Sequence, residues 1–413
     1  MTEPPTATPQ RPAPDSPPAD AAHPATSARV IVALVLGQLG MHSAMAGLRL
    51  AAPLQALREG YSPWAVGLLL ALFAAAPVLL ALHAGRMADR YGYHRPVYVA
   101  VGLTVLGMLA AVASSFIAGD WHFALLCVAA TLTGTGANMG MLTIQRTAGL
   151  TARDATERVR IFSWLGIAPS FANVLGPVAV GLTIDAAGFT AGYVLLLALP
   201  LLSLVSARKV PPVAPAPEPG ADQAPRRAWD LLAAPGMARL LTVNWLISMC
   251  WDVHIFAVPI LGHQRGFSAG TIGLVLGSFT LAVSAVRLLI PLLAHRLNEA
   301  AVLRGAMLAA AAVFVVYPLA STPLLMGACA VWLGVALGCV QPMVMSTLHH
   351  ITPDQRHGEA LALRSMVINA SSTAMPLLFG ATGAVVGAAV LFWVVGGAVG
   401  AGAWLTRGLV RVR

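Results

Sequence analysis

The chain has 413 residues, of which 58% are hydrophobic and 10% are charged, and its mean hydropathy is +0.77. Soluble proteins carry about 25% charged residues, so this chain lacks the charge that would cover a globule of its size in water. Its net charge of +9 includes no dense basic run with interleaved aromatic residues, which argues against nucleic acid as a partner. The composition predicts a protein whose solvent is lipid.

The first stretch of the chain, residues 1–28, is rich in Pro, Ala and Thr and has no apolar run. A signal peptide needs a basic start and an apolar segment, so we expect a disordered cytoplasmic tail here. Twelve apolar runs follow, each near the ~20 residues that cross the hydrocarbon layer as a helix. They are numbered here as spans 1 to 12 and lie at 30–50, 63–84, 97–117, 122–145, 160–184, 190–207, 238–262, 270–293, 301–320, 323–348, 358–381 and 384–406.

The runs show no strand-type alternation, and backbone in lipid must satisfy its hydrogen bonds within a helix or a closed barrel. The sequence therefore predicts an all-α membrane protein with twelve transmembrane helices. Its four cysteines lie far apart inside apolar stretches, so we expect neither disulfides nor a metal site.

Basic residues mark the cytoplasmic side of a membrane protein. Of the 25 basic residues, two lie in loops on one side, Arg58 and Arg265, and three lie within spans and are assigned to neither side, Arg49, Arg287 and Arg364. The remaining 20 fall in the tails, in the loops of the other side, or in the first turn of a span next to those loops, as Arg160, Arg239 and Arg304 do. This asymmetry predicts that both termini are cytoplasmic, in a multi-pass protein of a bacterial-type inner membrane.

The segment 208–236 is polar and Pro-rich, and we predict that it is a cytoplasmic linker. It separates a six-span bundle at 29–207 from a second at 237–406, and residues 407–413 form a short cytoplasmic tail. The two bundles are similar in sequence when one is shifted by 206 residues. The shift places Pro53 on Pro259, Gly60-Tyr61-Ser62 on Gly266-Phe267-Ser268, Gly67 on Gly273, Phe73 on Phe279 and Arg90 on Arg296. Two six-helix pseudo-repeats of this kind form transporters whose site lies at the midplane between them.

The stretch after span 2 reads GRMADRYGYHRP, residues 85–96. It resembles the signature of the major facilitator superfamily (MFS) at Gly85, Asp89, Arg90, Gly92 and Arg95. The resemblance implies the twelve-helix MFS fold, a secondary transporter, and a gating loop that holds span 2 against span 11. Asp89 can pair with an arginine or cap a facing helix, and Arg364 in span 11 is its expected partner. The second copy, at 291–298, has Pro291 and His295 where the glycine and the aspartate stand, so we expect a weaker latch there.

Span 5 contains SFANVLGPVAVG, residues 170–181. It resembles the family motif associated with exporters at Gly176, Pro177 and Gly181, although Ala172 and Val180 stand where glycines are usual. The resemblance implies export, while close helix packing through small residues is the alternative explanation. Span 4 departs from the family pattern, because Ala130 stands where an arginine linked with proton coupling is usual. That departure leaves the usual coupling route open to doubt.

Polar and ionisable residues inside the membrane are costly and mark candidate sites. In span 1, Gln38, His42 and Arg49 fall within about 40° of arc on one face. In span 7, Asn244 and Asp252 lie on one face, and low dielectric disfavours the charged form of such a buried carboxyl, as a proton carrier requires.

The coupling candidates are Asp252 and His42. The candidates for lining a substrate cavity are Gln38, Arg49, Asn138, Asn244, Gln341 and Trp251. Snorkelling of Arg49 and a structural Arg49 to Asp252 pair remain as alternatives.

These features lead to one main hypothesis and several alternatives. We expect proton-coupled export, by antiport and alternating access, of small organic molecules such as drugs or siderophores. The alternatives are a proton-linked importer of an organic anion, which Arg49, Arg287 and Arg364 would favour, and a non-transporting receptor. No paired-carboxylate, HExxH or nucleophile-elbow pattern indicates an enzyme. We expect a monomer in the lipid bilayer that uses the proton gradient and no cofactor, with a small molecule as its partner.

Overall fold

The computed structural model describes residues 28–151, 155–212, 228–293, 298–352 and 357–409. Helices dominate this part of the chain, and none of its residues lies in a strand. The helices are α1 (Ala28–Arg58), α2 (Pro63–Tyr91), α3 (His94–Ser114), α4 (Asp120–Thr151), α5 (Ala155–Ala207), α6 (Met237–Gln264), α7 (Ala269–Leu293), α8 (Glu299–Val316), α9 (Pro323–Gly338), α10 (Val340–Ile351), α11 (His357–Val386) and α12 (Ala388–Gly402).

The helices account for twelve crossings. Among the described residues, ten helices are long and apolar enough to cross a membrane, and one of them, Trp164–Ala207, has 44 residues. That helix folds back at Gly188, which has a φ of 82° and a ψ of 176°, so it crosses twice. The fold-back brings Gly192 against the side chains of Val180 and Ile184. α11, with 30 residues and a polar first half, adds the remaining crossing. The predicted all-α fold is confirmed.

One detail of the predicted spans was wrong. The stretch 85–96 is mostly helical instead of a loop, since α2 runs on to Tyr91 and α3 begins at His94. α2 ends at Gly92, which has a φ of 68° and donates its N–H to the carbonyl oxygen of Ala88. Helical hydrogen bonding thus continues beyond the apolar run, because it does not depend on hydrophobic side chains.

Span 10 matches one candidate membrane span, Pro323–Leu348, and its helix is interrupted once within that span. α9 ends at Gly338 and α10 begins at Val340. Pro342 has no N–H with which to bond the carbonyl oxygen of Gly338, so the helical ladder loses a bond at this point. The break places Gln341 in the first turn of α10.

The bundle has two ends, which are distinguished by the loops they carry. Because the number of crossings is even, Ala28 and Arg407 lie at the same end, which we call the terminal face. The other end, the opposite face, carries the turns after α1, α3, α6, α8 and α11 and the turn at Gly188. Across the two halves, α5 packs on α7 and α2 packs on α11.

Matching glycines allow close packing inside each half. A Cβ atom on Gly134 of α4 would collide with the backbone of Phe73 in α2. In the second half, a Cβ on Gly334 of α9 would collide in the same way with the backbone of Phe279 in α7. Phe73 and Phe279 are related by the 206-residue shift found in the sequence. The two halves therefore repeat this helix crossing as well as the sequence around it.

A second matching set of contacts joins the halves at the opposite face. A Cβ on Gly67 of α2 would collide with the carbonyl oxygen of Pro376 in α11, and a Cβ on Gly273 of α7 would collide with that of Pro177 in α5. Small residues let helices approach this closely in lipid. The two contacts are related by the pseudo-twofold symmetry of the repeat, and they bring the halves together at this face.

We expect Gly134→Ala to destabilise the protein by about 1–3 kcal/mol, because its methyl group would meet fixed backbone instead of a movable side chain. The measurement is the midpoint of SDS-induced unfolding in mixed micelles. Gly102→Ala in α3 is the control, because a Cβ at Gly102 has no neighbour within 4 Å. Equal midpoints for the two variants would show that the α2 to α4 crossing is not tightly packed.

Candidate functional site

Two chambers and a narrow neck lie between the halves. The first chamber has a volume of about 630 Å³ and is lined mainly by α2 and α4. The second has a volume of about 420 Å³ and is lined mainly by α5, α6 and α7. A neck of about 40 Å³ shares Arg49 with the first chamber, and Asn173 and Trp251 with the second. Ser372 of α11 lines both chambers, so the three spaces form parts of one central cavity.

The lining residues of the chambers show where the cavity opens. The first chamber is lined by Met45, Arg49, Phe73, Ala74, Pro77, Val78, Leu80, His83, Ala84, Arg86, Met87, Arg90, Tyr91, Leu103, Thr135, Asn138, Met139, Met141, Leu142, Gln145, Asn369 and Ser372. The second is lined by Gly166, Pro169, Ser170, Asn173, Asn244, Ile247, Ser248, Trp251, Asp252, Thr280, Val283, Arg287, Leu337, Val340, Gln341, Ile368 and Ser372. Along each helix these residues run from the middle of the bundle toward the terminal face. The cavity therefore opens at the terminal face, while the glycine contacts close the opposite face.

Asp252 lies at the inner end of the second chamber. Its side chain is 8% exposed. One carboxylate oxygen accepts a hydrogen bond from the Ser371 hydroxyl at 3.1 Å, and the other accepts one from the Ser372 hydroxyl at 3.4 Å. Both serines belong to α11, in which the sequence had marked only Arg364. The hydroxyls supply donors that a buried carboxylate needs.

Arg49 lies where the first chamber meets the neck. It is close enough to Asp252 and to His42 for their charges to interact. Its guanidinium carbon lies 6.0 Å from the centre of the Phe73 ring, which is within range of a cation–π interaction. Its buried Nε has no hydrogen-bond partner in the described part of the chain. Arg49 belongs to the first half and Asp252 to the second, so this pair of charges spans the boundary between the halves.

The other polar residues of α1 do not share the position of Arg49. The Nε2 atom of His42 lies 3.5 Å from the amide nitrogen of Asn173 in α5, and Asn173 lines the neck. Gln38 is buried, and neither of its polar side-chain atoms has a partner among the described residues. Neither His42 nor Gln38 is among the residues that line the chambers. The structure therefore brings Arg49 into the cavity and leaves Gln38 outside it.

Four other predicted cavity residues line the chambers. Asn138 lines the first chamber and donates to the carbonyl oxygen of Gly134 at 3.3 Å. Asn244, Trp251 and Gln341 line the second chamber. Trp251 also lines the neck, and its ring meets that of Phe279 edge-on with centroids 4.7 Å apart. These side chains give the second chamber an amide-rich wall with one indole ring.

The predicted gating residues lie near the terminal end of the first chamber. Arg90 lines this chamber, and the guanidinium of Arg95 lies 4.0 Å from the centre of the Tyr91 ring. The Asp89 side chain is outside the part of the structure that is described, so its pairing stays a prediction. Arg364 is buried, and its guanidinium donates to the Gln341 side chain of α10.

The exporter-like motif of α5 lies on the boundary between the halves. A Cβ on Gly176 would meet the α1 backbone at Ser43 and Gly47. A Cβ on Gly181 would likewise collide with the α7 backbone, because it would lie 2.5 Å from the carbonyl oxygen of Ala269. The small residues of the motif thus serve close packing of α5 on both helices, and Pro177 supplies the carbonyl that Gly273 meets.

A second copy of this motif in α11 was missed in the sequence. Pro177 and Gly181 match Pro376 and Gly380 when the chain is shifted by 199 residues, instead of the 206 that fits the earlier helices. The positive-φ glycines Gly188 and Gly387 fit the same shift. A search with a variable offset would have found this copy. Asn173, Ser371 and Ser372 lacked any such signal, because single polar residues in a helix do not indicate which neighbour they face.

The arrangement as a whole suits reversible binding of a small organic molecule beside an ionisable group. The walls of the cavity are largely apolar, with a few polar groups that can orient a ligand. Within the described residues, no group of three or more His, Cys, Asp or Glu side chains is placed to hold a metal ion. The Asp252 carboxylate and the Arg49 guanidinium interact across the boundary between the halves at the inner end of the cavity.

Comparisons with known proteins agree with this architecture. The chain is similar to the enterobactin exporter EntS of Salmonella choleraesuis (strain SC-B67), with 26% identity over 283 residues, which cover 65% of this chain and 63% of that exporter. The fold is similar to that of the nucleoside transporter NupG, with a TM-score of 0.74 and 13% identity over 92% of this chain and 100% of that one. It is also similar to a bacterial homologue of the iron transporter ferroportin in an inward-facing state, with a TM-score of 0.70 and 17% identity over 93% of this chain and 99% of that one.

The sequence also matches a known family across both halves. The match to the Major Facilitator Superfamily covers residues 34–250 and 240–413. It therefore includes the chambers, the contacts between the halves and the stretch at 85–96. The chain is a multi-pass membrane protein that belongs to the Major Facilitator Superfamily, which is a family of transporters and not of enzymes.

Proposed function

We propose that this transporter couples the proton gradient to the export of small organic molecules, by alternating access between its two faces. The position of Asp252 carries the proposal. It is the only carboxylate among the described side chains that line the chambers, and it lies beside Arg49 of the other half. We further propose that the protein works as a monomer in the lipid bilayer of a bacterial-type inner membrane, without a cofactor.

Asp252 is subject to opposing influences that suit a proton carrier. Burial disfavours its charged form, whereas the hydroxyls of Ser371 and Ser372 and the charge of Arg49 favour it. Ser371 and Ser372 move with Asp252, because all three belong to the second half. Arg49 belongs to the first half, so movement between the halves changes its distance from the carboxylate. Alternation between the open states would thus change how firmly Asp252 holds its proton.

Exchange of proton for cargo follows if both compete for the same group. A cargo in the second chamber would lie against Asp252 and could occupy the carboxylate only when the proton has left. The exporting direction is supported by the similarity to an enterobactin exporter. It is also supported by the exporter-like motif of α5, whose Pro177 and Gly181 lie at the boundary that opens and closes.

An organic anion as cargo would give the second candidate function. The charged residues that line the first chamber are all cationic among those the structure describes, and they are Arg49, Arg86 and Arg90. An anion bound at Arg49 would add negative charge beside Asp252 and favour its protonation. Proton and anion would then travel together, as in an importer driven by the proton gradient.

The orientation of the protein in the membrane is the first prediction of this proposal. The basic residues of the terminal face should keep it in the cytoplasm. Green fluorescent protein fused after Arg413 should fluoresce in bacterial cells, and alkaline phosphatase fused within the α3 to α4 turn, after Ile117, should be active. Active phosphatase at the C-terminus with an inactive fusion at Ile117 would reverse the orientation.

The second prediction concerns Asp252→Asn in vesicles with the terminal face outward and an acidic interior. Wild-type protein should accumulate probe inside, and Asp252→Asn should reduce this to the level of protein-free vesicles, because an amide carries no titratable proton. The probes are enterobactin, the cationic dye ethidium and the anionic dye carboxyfluorescein. The control is Asp230→Asn, which removes an exposed carboxylate before α6 at the terminal face.

The same vesicles separate the candidate functions. Accumulation of carboxyfluorescein only when the outside is acidic would favour anion symport over exchange. An unchanged response to the gradient in Asp252→Asn would contradict the role of Asp252 in either function.

A further inference from the structure

The first turn of α7 is completed by a residue of the other half. Asp185, near the end of the first arm of α5, accepts a hydrogen bond from the N–H of Ala269 at 2.9 Å and another from the N–H of Gly270 at 2.8 Å. These are the first two residues of α7. The N–H groups at a helix start have no partner within the helix, and a carboxylate there also interacts favourably with the helix dipole.

The next N–H of this turn is satisfied from nearby in the chain. The side-chain oxygen of Ser268 accepts from the N–H of Thr271 at 3.2 Å. The Ser268 side chain bonds only the N–H of Thr271, so Asp185 is the partner that satisfies the N–H groups of Ala269 and Gly270. Asp185 is separated from them by 84 and 85 residues, and it makes both bonds across the boundary between the halves.

The equivalent crossing of α2 and α11 has no such carboxylate. Pro63 and Trp64 of α2 correspond to Ala269 and Gly270 of α7 by the 206-residue shift, and Gly380 of α11 packs on them as Gly181 packs on α7. Pro63 has no N–H to satisfy. Ala384, three residues before Gly387, occupies the position that matches Asp185, three residues before Gly188. The carboxylate therefore stands at the crossing where both of the first two residues of the facing helix have an N–H group, whereas only Trp64 has one at the α2 crossing.

The space at the crossing is shaped to the carboxylate. A Cβ on Gly270 would lie 2.5 Å from the Oδ2 atom of Asp185. No side chain larger than that of glycine fits there while the oxygen keeps its bond to the N–H. Gly270 thus serves the hydrogen bond as well as the close approach of the backbones.

We propose that Asp185 is a latch that holds the two halves together at the opposite face while the cavity is open at the terminal face. When the opposite face opens, α5 and α7 separate there and the carboxylate loses both N–H partners to water. The latch acts on one of the two pseudo-symmetric crossings. The α5 to α7 crossing is held by these hydrogen bonds as well as by packing, whereas the described residues of the α2 to α11 crossing are joined by packing. This inference rests on the alternating access of the proposed function, and it is independent of the cargo and of proton coupling.

Removing the latch should shift the balance between the two open states. Loss of a carboxylate cap costs about 1 to 2 kcal/mol, which corresponds to a change of roughly 5- to 30-fold in the ratio of the states. The test uses full-length protein in lipid nanodiscs, without cargo, in a background where the four native cysteines are replaced. Spin labels on Glu59→Cys and Ser321→Cys, exposed turns of the first and second halves at the opposite face, report the separation of the halves by double electron–electron resonance.

In the wild-type background the short distance should dominate, and Asp185→Ala should raise the fraction of a longer distance. Gly270→Ala should act in the same direction, because it displaces the carboxylate while keeping its charge. Asp120→Asn is the matched control, since it removes a carboxylate in the first turn of α4 at the same face, within one half. A cap that only stabilises the fold would lower the unfolding midpoint without changing the distances.

Two results would overturn the latch. One is a wild-type distance distribution in folded Asp185→Ala and Gly270→Ala, and the other is an equal shift in Asp120→Asn. If Asp185→Ala does not fold, Gly270→Ala decides the question alone. The proposed coupling and the latch can fail separately. If the wild-type protein shows no gradient-driven transport in vesicles but Asp185→Ala and Gly270→Ala show the expected distance shifts, the proposed coupling is contradicted and the latch is not.

Discussion

The close approach of backbones at the opposite face is the constraint on which the rest of the structure depends. Gly67 meets the carbonyl oxygen of Pro376, and Gly273 meets that of Pro177, so neither crossing can accept a side chain. In lipid there is no hydrophobic force between helices, and van der Waals packing must hold them together. With the halves joined at this end, they diverge toward the terminal face and leave the two chambers between them.

This geometry places the costly polar groups where they can change partners. Asp252 has hydroxyl donors on its own half, and its electrostatic partner, Arg49, lies on the other. A rigid protein would gain little from charges at the midplane, whereas a protein whose halves move can use them to sense that movement. The same principle applies at the surface, where Asp185 of one half completes a helix of the other.

Much of the fold could be predicted from the sequence, and less of the site. Hydropathy marked the crossings, and the 206-residue shift paired Gly67 with Gly273 because the first two helices of each half have equal spacing. The match of Pro177 with Pro376 was missed because the intervening helices are shorter in the second half, which changes the shift to 199. Helical periodicity placed Gln38 and Arg49 on one face of α1. It does not show which neighbouring helix packs against that face at each level of the membrane, and of the two only Arg49 lines the cavity. No pattern in the sequence indicated a role for Asp185, since its partners lie in the other half.

The central claim is that the cavity around Asp252 is open to the terminal face and closed to the opposite face. A single cysteine at Ser372, which lines both chambers, tests this directly in a background without native cysteines. Vesicles of known orientation, without cargo or gradient, are treated with a membrane-impermeant maleimide from one side at a time. The account predicts that Ser372→Cys reacts only when the reagent reaches the terminal face. Equal reaction from the opposite face would contradict it.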